Sequence, residues 1–296
     1  MKPVSGNLPS TLTRTAMGLI SCVGSVRELF SRTRKTFLIT TVLVLMALQS
    51  PPIDAEKSPS EGVGEVEQLK VEVLEVYPHD PTAYTQGLVW DGGVLYESTG
   101  LYGKSTVRRV DPESGLVLDK QVLDPNFFGE GLALVGDRLV QLTWKAGVAF
   151  VYELVGLELV DEFGFNGEGW GLAYDGKDRL VMCDGSSRIT FRNPEDFRWV
   201  STVDIRLRGQ PLERLNELEF AEGQLYANVW QQEKIVRIDP DTGRVTAEID
   251  ASGLLDPRES AMVDVLNGIA YDPMSKSFWL TGKFWPKMFR VVFVPR

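Results

Sequence analysis

Five stretches of this chain start alike: Gly87-Leu-Val-Trp-Asp, Gly131-Leu-Ala-Leu-Val, Gly171-Leu-Ala-Tyr-Asp, Glu217-Leu-Glu-Phe-Ala and Gly268-Ile-Ala-Tyr-Asp. Their starts lie 44, 40, 46 and 51 residues apart, and each leads through a turn into a second run, such as Val94-Leu-Tyr-Glu or Phe278-Trp-Leu-Thr. Third and fourth runs follow, as in Thr106-Val-Arg-Arg-Val before Asp111-Pro and Gly115-Leu-Val-Leu after it. Four short strands per repeat at this period is the spacing of β-propeller blades, in which a single repeat cannot bury its apolar face and neighbours must stack. From Leu69 onward no helical period competes with the strand alternation. The expected fold is all-β, a five-bladed β-propeller. The fifth repeat ends at Arg296 after three strands, while an unassigned strand, residues 68–76, precedes the first. This N-terminal strand is expected to close the last blade, because closure removes a long unpaired edge.

The segments ahead of the repeats have a different character. Arg32-Thr-Arg-Lys35 and the apolar run Phe37 to Leu48 read as the charged and hydrophobic regions of an export signal. That run is shorter than the about 20 residues a membrane helix needs. Residues 1–50 are therefore either a cleaved signal, sending the protein to the periplasm or out of the cell, or a short anchor providing its sole hold on a membrane. Residues 51–67, rich in proline, glycine, serine and charge, read as a flexible linker, leaving 68–296 as the propeller domain.

The chain holds 31 basic and 41 acidic residues, and residues 1–50 contain six of the former and one of the latter, so the remainder carries 25 against 40, a charge of −15. An acidic body gains nothing from a phosphate backbone, which argues against nucleic acid as a partner. The only cysteines are Cys22 and Cys183, and removal of the signal leaves one thiol and no intramolecular disulfide. The single histidine, His79, excludes a zinc site built on several histidines, and its setting in Tyr77-Pro-His-Asp-Pro81 reads as a loop. Ser98-Thr-Gly-Leu-Tyr-Gly-Lys-Ser105 imitates a phosphate-binding loop, but Ser98 replaces the first glycine and a strand follows where a helix should begin. No cofactor or metal is expected.

In a propeller the innermost strand of each blade lines the channel, so one repeat position recurs around its mouth. The residue just before each repeat start is Gln86, Glu130, Trp170, Asn216 or Asn267. None is aliphatic, which predicts a polar pocket with an aromatic wall. A second set at the ends of the second strands includes Trp144, Asp184, Trp230 and Thr281. Taken singly, each tryptophan reads as core packing, while for Glu130 a solvated acid in a glycine turn that titrates normally is the alternative to a site residue. Lys283, in Thr281-Gly-Lys-Phe-Trp-Pro286, is either a surface lysine or a site residue. Their shared register is what points to a site.

These residues also lie in longer motifs: Tyr84-Thr-Gln-Gly-Leu88, Tyr96 to Ser105, Gly129-Glu-Gly-Leu132, Gln141-Leu-Thr-Trp144, Glu168-Gly-Trp-Gly171, Leu215-Asn-Glu-Leu-Glu219, Ala227-Asn-Val-Trp230, Leu266-Asn-Gly-Ile269 and Leu280 to Pro286. Through them the chain resembles the plant and bacterial glutaminyl cyclotransferases over nearly all of residues 70–296. The resemblance implies a five-bladed propeller with its active site at the channel mouth, acting on peptides or proteins that begin with glutamine, and the chain is expected to act as a monomer. The reaction implied closes that glutamine to pyroglutamate and releases ammonia. The family's site residues fall on Gln86, Glu130, Trp144, Trp170, Asn216, Trp230 and Lys283, with Phe128 and Tyr84 beside them. Tyr84 stands where relatives often carry phenylalanine, and Asn267 enters by its ring position more than by its motif. In this scheme Glu130 takes and returns a proton, Lys283 or Asn216 supplies the oxyanion donor, and the tryptophans hold the folded substrate. Two other readings stay open: a metal-dependent lactonase holding Ca²⁺ on Glu130, Asn216, Asn267 and Asp184, and a non-enzymatic propeller that binds peptide termini.

Overall fold

Residues 65–296 are described in the structure, a computed structural model. The expected export signal, the apolar run Phe37 to Leu48, Cys22 and the linker up to residue 64 lie outside the described residues. Strand β1 (Glu67–Pro78) comes first, and the four runs of each repeat then fold as antiparallel meanders. The first meander is β2 (Thr85–Asp91), β3 (Val94–Thr99), β4 (Thr106–Val110) and β5 (Val117–Val122). The second is β6 (Gly129–Val135), β7 (Arg138–Thr143), β8 (Val148–Glu153) and β9 (Leu159–Gly164). The third is β10 (Leu172–Tyr174), β11 (Leu180–Cys183), β12 (Arg188–Arg192) and β13 (Trp199–Asp204), followed by the small hairpin β14 (Arg206–Leu207) and β15 (Gln210–Pro211).

Strands β16 (Leu215–Ala221), β17 (Gln224–Val229), β18 (Lys234–Ile238) and β19 (Val245–Asp250) make the fourth meander. A single helical turn, α1 (Pro257–Ser260), capped by the Asp256 side chain, is the only helix among the described residues. Strands β20 (Leu266–Asp272), β21 (Ser277–Gly282) and β22 (Lys287–Pro295) end the chain. The fold is all-β.

The N-terminal strand pairs antiparallel with β22 from Leu69 to Pro78, adding a fourth strand beside β20, β21 and β22. It also runs parallel to β19 over Glu67 to Lys70, a pairing the repeat pattern does not announce. The two contacts merge eight strands into one sheet, in the order β16-β17-β18-β19-β1-β22-β21-β20. The domain takes in residues assigned by sequence to the linker: Glu67 opens β1, and Val66 packs into the apolar layer under β16–β19.

Five apolar layers, one between each pair of neighbouring meanders, form the core. Leu88, Leu95, Leu132, Leu139, Leu172 and Leu180 are fully enclosed in them, and each such side chain contributes about 1.5–3 kcal/mol. The first strands follow one another in a closed circuit: β2 lies against β6, β6 against β10, β10 against β16, β16 against β20, and β20 against β2. This crowding explains the repeated glycine. A Cβ on Gly87 would lie 2.5 Å from the backbone nitrogen of Leu132, and one on Gly131 or Gly171 would meet the next strand closer still. The fourth repeat has Glu217 instead, which turns the same closeness into a tie: its carboxylate accepts from Ile269 N at 2.8 Å and Leu88 N at 3.3 Å.

Candidate active site

Antiparallel pairing is interrupted by a bulge at the start of β2, β6, β16 and β20, between Thr85 and Gly87, Gly129 and Leu132, Leu215 and Leu218, and Leu266 and Ile269. A bulge leaves its extra residue out of the ladder and re-aims the side chain. The bulged residues include Gln86, Glu130, Asn216 and Asn267, four of the five ring positions, and Trp170 occupies the matching place ahead of β10. Trp144, Trp230 and Lys283 come off the far ends of β7, β17 and β21, the strands paired with β6, β16 and β20, so both sets emerge at one mouth.

There they enclose a cavity of about 240 Å³ lined by Tyr84, Gln86, Phe128, Glu130, Trp144, Trp170, Asn216, Trp230 and Lys283. Glu130 is 4% exposed, and among the described residues its carboxyl receives one hydrogen bond, from Gln86 Nε2 at 2.9 Å. Burial pushes its carboxyl well above the ordinary range; the Lys283 charge opposes this and the Glu168 charge adds to it. Lys283, 3% exposed, has its pKa lowered by the same desolvation, while Glu130 and Asp264 hold it up. Its Nζ sits 4.8 Å from the centre of the Tyr84 ring. Burial, together with Asp264, raises the Tyr84 hydroxyl to about 12, so this added oxygen stays a neutral donor. The buried Asn216 carboxamide spends neither end on a hydrogen bond among the described residues.

The aromatic wall is interlocked. Tyr84 meets Phe128 edge-on at 6.1 Å, Phe128 meets Trp144 at 5.5 Å, and Trp170 meets Trp230 at 5.7 Å. Two members are also pinned by one carboxylate: Glu168 Oε2 accepts from Trp144 Nε1 at 2.8 Å and from Trp170 Nε1 at 3.1 Å. Lys145 lies over the Trp144 ring at 3.9 Å and 3.7 Å from Glu168 Oε1. Glu168 appears in the sequence only as part of a motif, and its signal is its place two residues before a ring tryptophan. Asp264, beside Lys283 and Tyr84, is in a connecting segment outside every repeat position and has no such signal.

Nine of the ten residues expected from sequence line the cavity. Asn267 does not: it is fully buried behind Gln86, with its Nδ2 3.0 Å from Thr85 O and 3.3 Å from Gln86 Oε1, so it braces a site residue. Glu130 is not a solvated acid, and Lys283 is not a surface lysine. From the second set, Asp184 turns away to accept from the Ser186 hydroxyl at 2.6 Å, and buried Thr281 donates to Lys287 O at 3.0 Å. The four oxygen donors expected of a Ca²⁺ site are therefore not gathered.

His79 lies in a loop as expected, but it is buried rather than solvated. Its Nε2 is 3.0 Å from Glu97 Oε1 and its Nδ1 2.7 Å from Trp285 O, so both nitrogens face acceptors and its pKa is raised despite burial. Glu97 also takes a hydrogen bond from Thr85 Oγ1 at 2.6 Å and lies 2.8 Å from Arg108 Nη2. These partners overcome desolvation and hold its carboxyl far below the ordinary range.

Three comparisons with known proteins point the same way. The family model described as glutamine cyclotransferase matches residues 42–293. A glutaminyl-peptide cyclotransferase of Arabidopsis thaliana is 42% identical over 228 residues, covering 75% of this chain and 71% of that one. The crystal structure of a Myxococcus xanthus glutaminyl cyclase superposes with a TM-score of 0.73 at 40% identity, over 78% of this chain and all of that one.

Proposed function

The chain belongs to the glutamine cyclotransferase family, and from that premise we propose that its cavity folds an N-terminal glutamine so that the α-amine attacks the side-chain amide carbon, yielding pyroglutamate and ammonia. The gathering of Glu130, Asn216 and Lys283 with three tryptophans in one cavity carries this reading.

An α-amine has an ordinary pKa near 8, so a useful fraction is already neutral at physiological pH and needs no metal to become a nucleophile. As its nitrogen bonds to the side-chain amide carbon, Cδ, the amine proton passes to Glu130. The same proton then goes to the departing nitrogen, so Glu130 ends as it began. A carboxyl raised by burial suits both steps, since its affinity for the proton lies closer to the working pH. Lys283 and the uncommitted Asn216 amide are the donors for the tetrahedral oxyanion. The indole wall, pinned by Glu168, holds the substrate curled and keeps out the water that would hydrolyse the amide.

The five four-stranded meanders are read as the blades of a propeller, with β1 completing the last; the repeat period and the circuit of first strands support this. The substrates proposed are peptides or proteins with N-terminal glutamine, acted on by a monomer exported through the segment at residues 1–50. Ammonia release from a glutamine-initiated dipeptide, with and without EDTA, tests the scheme. Release that survives EDTA and is lost in Glu130→Gln is expected. EDTA-sensitive release would overturn the metal-free chemistry, and no release would overturn the reaction.

A further inference from the structure

A second, larger cavity of about 470 Å³ lies beside the first and shares Tyr84 with it as a wall. Its lining includes Thr82, Arg108, Lys104, Lys120 and Phe284. A row of charges crosses this part of the first meander: Glu97 on β3 stands opposite Arg108 on β4, which stands opposite Lys120 on β5. Arg108 is engaged by Glu97 at 2.8 Å and by Asp80 at 2.9 Å. Lys120 is not: it sits directly across from a cation, an arrangement that costs a sheet stability. Neither Lys120 nor Lys104 joins an ion pair among the described residues, although the chain outside residues 1–50 carries a charge of −15. Two exposed lysines thus line one cavity at the border of the reaction cavity without a carboxylate partner, while Asp80, the one acid in the lining, is spent on Arg108.

We infer that this cavity is a subsite for the substrate downstream of the glutamine, and that it takes an acidic side chain. The inference rests on the first cavity being the glutamine site. The wall between them is the pair Tyr84 and Phe284, whose ring centres are 5.1 Å apart. Two residues of extended chain cover about 7 Å, so a peptide leaving the first cavity brings its third side chain to the second. There an aspartate or glutamate meets Lys104 and Lys120, while a lysine meets their repulsion. Arg108, anchored by two carboxylates, keeps the floor rigid.

The test compares Gln-Ala-Glu-Ala, Gln-Ala-Ala-Ala and Gln-Ala-Lys-Ala amides by ammonia release. KM for the glutamate peptide is expected to fall below that for the lysine peptide by about fivefold at low salt, with similar kcat, and the gap to shrink as salt rises. The double variant Lys104→Ala/Lys120→Ala should erase the gap while leaving turnover of the alanine peptide unchanged, and Lys120→Glu should reverse it. Equal KM values in the wild type, or a gap that survives the double variant, would overturn the subsite. Release from none of the three peptides would instead overturn the glutamine site on which it rests.

Discussion

Glu97 and Glu130 are both buried carboxylates, 1% and 4% exposed, and they belong to neighbouring meanders of the same sheet architecture. Their chemistry is opposite. Glu97 is surrounded by Arg108, His79 and the Thr85 hydroxyl, and its carboxyl is held far below the ordinary range. Glu130 has one amide donor and a lysine it does not touch closely enough to pair, and burial drives it well above that range. Depth in the protein is thus not what separates the two carboxylates; the cationic partners within reach of Glu97 are. The paired group fixes structure: through Thr85 it steadies the start of β2, and with it Gln86. The under-partnered group keeps a proton site open to a substrate.

Breaking the two sites should therefore give opposite results. The largest effect is expected at Glu130, where replacement by glutamine should lower kcat by about 10²–10⁴, read as ammonia release. The same change should leave the melting temperature level or raise it, because a carboxyl whose pKa is raised on folding costs stability at neutral pH. Next comes Glu97→Gln, which strips Arg108 and His79 of their partner and should cost about 3–5 kcal/mol in urea unfolding. Loss of activity without loss of stability in that variant would erase the distinction between the two groups.

The linkage to pH follows from the directions of the shifts. Glu97, lowered on folding, contributes stability that is present above the ordinary carboxylate range and is lost as pH falls through and below it. His79, raised on folding, contributes below the ordinary imidazole range and loses that contribution as pH rises past it. Denaturant midpoints across the acid range should fall steeply in the wild type. Smaller again is Glu168→Gln, which keeps an acceptor for the indoles but removes a charge that raises Glu130. The acidic limb of the kcat profile should move to lower pH, by about half a unit or less for a partly exposed group. A limb that stays in place would assign Glu168 to packing alone.

The same contrast explains what the sequence made legible. Site residues on bulged inner strands recur once per repeat, so Gln86, Glu130, Trp170 and Asn216 could be picked out by register. Asn267 has the right register, yet its side chain turns inward to Thr85 and Gln86, a choice made by neighbours from another repeat. The His79–Glu97–Arg108 cluster joins a loop to two strands, and Asp264 comes from a connection, so no period marks them. The parallel pairing of β1 with β19 was hidden for a similar reason: it links the start of the domain to its fourth repeat, over only four residues.

The most direct test is a carboxyl carbon-13 NMR titration of glutamate-labelled protein across the acid and neutral range, with Glu130→Gln to assign the resonance that disappears. Glu130 should titrate well above the ordinary carboxylate range while the protein stays folded, as should the buried Glu217 and Glu219, and the resonance lost in Glu130→Gln should be one of these raised ones. A Glu130 that titrates at or below that range would make it a solvated acid or a paired one, and would contradict its place as the proton carrier.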